Sequence, residues 1–215
     1  MTNPRLIAVG ALLAASLGLN GCVTLFPKAP PAQLYRFGAE PPKLDAKAQV
    51  GAPFNLLLAQ TVFVHAARSD SILTSNGTET AYLAGSRWVS PAAVLFDEAI
   101  GRAFDAAGGP ARLVPRGGLG SSGASLRLDV QVFEARYSGA KTAAPTVVVR
   151  VHGVLAPMAD RRLAAERTFE ADKPAGDNRV GAIVTAFDEA TTQVVGEIVA
   201  WTEVQGAAAA TPSPH

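Results

Sequence analysis

The sequence predicts an α+β fold: a two-layer sandwich of a mainly antiparallel sheet with two amphipathic helices packed on one face. Three observations carry that reading. Three consecutive runs between Ser125 and Ala171 alternate apolar and polar residues with the period of a half-buried strand. Two further runs, one after Pro91 and one after Asn178, repeat apolar residues at helical spacing. The 215 residues, of which 48% are hydrophobic, suffice for one domain with a real core.

The amino end comes first. Arg5 supplies a positive charge, and Leu6 to Leu19 is apolar or small except for Ser16, a run of about 14 residues. That is below the roughly 20 residues a membrane-spanning helix needs, and it fits the apolar stretch of an export signal. Leu19-Asn20-Gly21-Cys22 then resembles the bacterial lipobox. A small glycine before the scissile bond admits the signal peptidase, and only a thiol can form the thioether to diacylglycerol. Cys22 is therefore the expected lipid-attachment residue. Val23, not Asp, follows it, which by analogy directs the product to the periplasmic leaflet of the outer membrane. Removal of residues 1–21 takes away Arg5 and no acid, so 19 basic side chains become 18 against 18 acidic ones.

Residues 22–42 read as a lipidated cysteine followed by a proline-rich tether. Pro27, Pro30, Pro31, Pro41 and Pro42 are a third of the 15 prolines, and such density favours extended backbone. Within it, Leu34-Tyr35-Arg36-Phe37 alternates as an edge strand would. Residues 43–204 form the predicted domain. Leu56–Val64 reads as a buried strand interrupted at Gln60 and Thr61, and Thr80–Leu83 as another after a turn at Ser75-Asn76-Gly77. Ser90 and Pro91 make an N-cap and first-turn pair for a helix through Ala107, which Gly108-Gly109 ends. In Ser125–Arg136, Leu126, Leu128, Val130 and Val132 share one face. In Thr146–Leu155, Val147, Val149 and Val151 share a face, and in Leu163–Ala171 so do Leu163, Ala165 and Phe169; these three runs make an antiparallel meander with one wet face. Asp177 or Asn178 caps the second helix, whose apolar stripe runs from Val180 to Ile198 and on to Trp201. Residues 205–215 read as a disordered tail.

The chemistry-bearing candidates are few. Nearly balanced charge argues against a nucleic-acid binder, and one cysteine excludes an intrachain disulfide framework and a cysteine-cluster metal site. His65, His152 and His215 have no metal-ligand spacing. Gly118 to Gly123 matches G-x-G-x-x-G, but it precedes a strand where a dinucleotide site needs a helix. Asn76-Gly77-Thr78 reads as a turn. Asp97-Glu98 and Asp188-Glu189 read as solvated faces, since adjacent helical residues point about 100° apart. No catalytic, cofactor or metal site is expected. Trp88 and Tyr35 remain as candidate anchors, for core packing or for a partner.

The whole layout resembles the ABC-type transport auxiliary lipoproteins, the paraquat-inducible protein C type. The resemblance runs from Leu34 to about Thr202. It comprises the lipobox, the Tyr35-x-Phe37 strand in place of the usual Tyr-x-Leu, and Leu56–Val64. Ser71-Ile72-Leu73, Tyr82 and Trp88 then lead into Pro91, followed by Leu128-x-Val130-x-Val132-Phe133, the Phe169 strand and a long final helix. The chain departs from the family in lacking a proline after Val64 and in its glycine-rich insertion at Gly117–Gly123. The resemblance implies a non-enzymatic, outer-membrane-anchored subunit of a lipid-moving system. Its implied partners are an ABC permease, its ATPase and a periplasmic MCE-domain protein, together with other copies of the chain in a ring. A lipidated periplasmic hydrolase, or an assembly lipoprotein unrelated to transport, is the alternative reading of the same sequence.

Overall fold

The computed structural model describes residues 31–43, 52–115, 123–139, 142–158 and 163–210. Cys22 and the lipobox lie outside the described residues, as do most of the glycine-rich insertion and His215. Nine strands form one sheet: β1 (Gln33–Tyr35), β2 (Phe54–Leu58), β3 (Val62–Phe63), β4 (Ser71–Asn76), β5 (Glu79–Trp88), β6 (Ala111–Val114), β7 (Ala124–Tyr137), β8 (Thr146–Pro157) and β9 (Ala165–Pro174). Two helices, α1 (Ala92–Ala107) and α2 (Val180–Ala210), complete the α+β architecture.

The long ladders are antiparallel, as the alternating runs predict. β7 pairs with β8 from Ala124↔Pro157 to Arg136↔Thr146, and β8 pairs with β9 from Leu155↔Ala165 to Thr146↔Pro174. The opposite edge of β7 is shared by three short parallel partners, β2, β3 and β4, laid end to end. The single strand expected over Leu56–Val64 is thus broken, and Gln60-Thr61 mark the break. The chain stays on β7 across it, because the Ala59 and Val64 amides still donate to the carbonyls of Leu126 and Val130. The hairpin β4–β5 turns at Gly77, whose φ of 61° suits glycine. β6 and β1 then flank β2 and β5 in parallel.

One register shift reorganises the core. Val130 pairs with Val151, but Val132 pairs with Arg150, so Gln131 is the extra residue of a β-bulge. Beyond it the alternation inverts: Phe133 and Ala135 turn inward, and Val132 leaves the face it was expected to share with Leu126, Leu128 and Val130. Phe133 becomes the hub of an aromatic cluster. Its ring lies 5.0 Å from Phe37, 5.4 Å from Phe63 and 4.9 Å from Phe187 of α2. Leu163 differs too. It precedes β9 and is 60% exposed, whereas Ala165 and Phe169 lie inside that strand.

The helix ends are set by partners distant in sequence. Ser90 does not cap α1. Pro91 occupies the cap position with no side-chain bond, and the Ala92 and Ala93 amides donate instead to the carbonyls of Ser69 and Arg68 in the β3–β4 loop. At the other end Gly108 takes the left-handed conformation expected of it, φ 60°. Asp177 accepts from the Arg179 amide just ahead of α2, while Asn178 accepts from the Tyr137 hydroxyl. α2 continues through Gly206–Ala210, residues assigned to a tail in the sequence reading. Alanine is the best helix former, and Gly206 lies against the ring of Phe54, where a side chain would not fit.

Candidate interaction surface

The helices cover one face of the sheet and leave the other open. The strand registers arrange the open face in rows. Leu57, Ser125 and Ala156 form one row; Arg127, Val154 and Glu166 the next; Val62, Asp129, His152 and Thr168 a third. Toward the other end come Val132, Arg150 and Glu170, then Glu134, Val148 and Asp172, where the face closes and Val148 is buried.

The two halves differ in chemistry. In the charged half Arg150 grips Glu170 through two bonds of 2.9 and 2.7 Å. That hydrogen bond and charge hold the Glu170 carboxyl below its usual range. Glu134 accepts from Arg136 and from the Ser75 hydroxyl. The apolar half is a groove of about 690 Å3 whose lining includes Leu57, Val154, Ala156, Met158 and Leu163. His152 sits at its rim, 3.6 Å from Glu166 and 3.4 Å from the Thr168 hydroxyl. The groove thus combines apolar side chains with Arg127, His152 and Glu166 in its lining. Among the described residues no group of three His, Cys, Asp or Glu side chains is placed to hold a metal, and no helix is long and apolar enough to cross a membrane.

The sheet edges carry the other candidates. Tyr35 lies on β1, opposite Trp88, with its hydroxyl bonded to Gln33. Leu34 beside it is 62% exposed, and Tyr82 of β5 is 53% exposed. The remaining edges are guarded: β9 carries Glu166, Arg167, Glu170, Asp172 and Lys173, and β6 is four residues long between Pro110 and Pro115. Trp88 is not an exposed anchor. It is 2% exposed and stacks edge-on against Phe37 at 4.9 Å and Phe187 at 5.3 Å.

One arrangement escaped the sequence. Phe37, wholly buried, is held in place by Gly38, whose amide donates to Asp188 of α2 at 2.6 Å. The Gly38 carbonyl accepts from the Arg102 guanidinium of α1 at 2.7 and 3.2 Å. Gly38 has φ 63°, and a Cβ there would lie 2.6 Å from that of Ala99. Asp188, expected on a solvated face, is thus a fastening for the segment that leads in from the amino end. The tether of the sequence reading ends earlier than Pro42, since residues 33–38 belong to the fold. The run Tyr35-x-Phe37-Gly38, an apolar alternation closed by a glycine, was the only local sign of it.

Known proteins sharpen this picture. A comparison with curated protein sequences finds no match. Among solved structures, a Xanthomonas campestris protein of the DUF330 family is similar at 26% identity and a TM-score of 0.68, over 80% of this chain and 96% of that one. A Chlamydia trachomatis hypothetical protein shares the fold, with 9% identity and a TM-score of 0.50 over 72% of this chain and 98% of its own. The sequence model of the ABC-type transport auxiliary lipoprotein component matches residues 35–199, from the Tyr35 edge strand through most of α2. The chain belongs to the ABC-type transport auxiliary lipoprotein component family.

Proposed function

We propose that the protein is a non-enzymatic lipoprotein subunit of an ABC/MCE-type transport system, anchored through Cys22 in the periplasmic leaflet of the outer membrane. In this reading residues 1–21 are removed and the segment from Val23 to Ala32 tethers the domain. The system moves lipids between the inner and outer membranes. The domain supports the permease, its ATPase and the MCE-domain protein without turning over substrate, and copies of it associate in a ring through the open face and the β1–β5 edge.

The observation that carries the reading is the family match over residues 35–199 in a chain that also has Leu19-Asn20-Gly21-Cys22. One acyl chain binds membranes only marginally at roughly 0.8 kcal/mol per buried methylene, whereas several chains anchor firmly. Cys22→Ala is therefore expected to move the protein from the outer-membrane fraction to the soluble periplasm, read by fractionation and blotting. Retention of the variant in the membrane sinks the anchor. Affinity purification of the lipidated chain from its own cells should recover an MCE-domain protein, and native mass measurement should give a multiple of the subunit mass. Recovery of neither removes the transport assignment.

A further inference from the structure

The corner at which α1 passes into β6 holds a carboxylate in an unusual place. Glu203, near the end of α2, is 5% exposed. Its carboxylate lies so close over Gly109 that a methyl group at that position would coincide with it. Arg112 of β6 is the cation whose field reaches Glu203. Yet its guanidinium is turned to the backbone, donating to the carbonyls of Gly109 and Ala111. Asp105 of α1 lies with Arg112 along a shallow pocket of about 300 Å3 beside Gly108. β2 meets this end of α2 with Phe54, which is not titratable, and Arg167 of β9 is engaged one and a half turns earlier, by Glu197. Burial pushes the Glu203 carboxyl above its usual range, and the opposing pull of Arg112 does not cancel that.

We propose that this corner is a proton-sensitive joint. With Glu203 protonated, the Gly108–Pro110 turn closes over a neutral, largely buried carboxyl. When the proton leaves for water, the carboxylate draws Arg112 away from the carbonyls of Gly109 and Ala111, and the turn between α1 and β6 loosens. A carboxyl whose folded value is raised contributes its full stabilisation below the ordinary glutamate value of about 4.3, and loses it as the pH rises through the folded value. The joint is therefore tight in acid and slackens as the pH rises through the folded value.

Amide exchange of the full chain, corrected for the intrinsic rate, tests it. Exchange across Gly108–Leu113 is expected to be slower at about pH 4 than at about pH 8, the change following the Glu203 carboxyl. Glu203→Gln should hold the slow rate throughout, and Gly109→Ala, which evicts the carboxylate, should exchange fast at every pH. A pH-independent wild type, or Glu203→Gln with the wild-type profile, overturns the proposal. Direct carbon-13 titration of the Glu203 carboxyl closes the gap if either variant fails to fold. A midpoint at or below the ordinary glutamate value overturns it equally.

Discussion

Trp88→Ala should destabilise the domain by about 3–5 kcal/mol, the range for truncating a large aromatic in a packed core. The ring is 2% exposed and touches Phe37, Phe133 and Phe187. Its removal therefore strips partners from the incoming amino-terminal segment, the sheet and α2 at once. Against a total stability of about 5–15 kcal/mol, that is a fifth or more of the whole. Trp88→Phe keeps most of the volume, and the loss should stay below about 1.5 kcal/mol. Urea unfolding of both variants, followed by far-ultraviolet circular dichroism, separates packing from a partner-binding role. A Trp88→Ala midpoint equal to wild type would mean that the ring serves an interface and not the core.

Gly38→Ala is the second large effect. The left-handed backbone at φ 63° costs a residue with a Cβ about 1–2 kcal/mol. The 2.6 Å approach to the Ala99 Cβ adds roughly 1–3 kcal/mol of overpacking. The two causes can be separated. Ala99→Gly removes the collision, leaves the backbone strain and itself costs about 1 kcal/mol in the middle of α1, so measured against the Ala99→Gly single variant the Gly38→Ala loss should shrink in part and never vanish. An unchanged Gly38→Ala loss in the Ala99→Gly background would show that the collision is absorbed elsewhere, and a loss abolished there would show that the backbone is unstrained.

The parts of this fold legible in the sequence are those whose signal is local. β7, β8, β9 and both helices repeat their apolar residues over enough turns or pairs to declare their period. β4 is Ser-Ile-Leu-Thr-Ser-Asn and β6 is four residues with an arginine inside; neither is long enough to show one, and each is a strand because a neighbour supplies the ladder. The Gln131 bulge left no trace in the alternation, since Val132 and Phe133 are both apolar and either can be read as the inward residue. Ser90 looked like a cap because side-chain capping is a local habit, and the loop carbonyls of Arg68 and Ser69 replaced it through a contact made only in three dimensions. The same contrast runs through the site. The proposed lipid-attachment site, Cys22 with its leader, is a linear motif, so the expectation needs no fold. The Gly38 fastening, the open-face groove and the Glu203 corner each join residues from distant elements, and no spacing rule reaches them.

The place where the amino-terminal segment joins the body also decides how the molecule carries a load. β1 runs parallel to β5 and is followed at once by the Phe37 plug and the Gly38 fastening to both helices. In the anchored state proposed above, about ten residues of leash, at roughly 3.3–3.6 Å each, separate the membrane from Gln33. A tug along that leash meets more than the three β1 pairings. Behind the Gln33, Leu34 and Tyr35 pairings, it must also extract the buried Phe37 ring and break the Gly38 bonds to Arg102 and Asp188. The amino-terminal segment is thus a cleat as much as a strand, and a pull on it is passed through Gly38 to both α1 and α2.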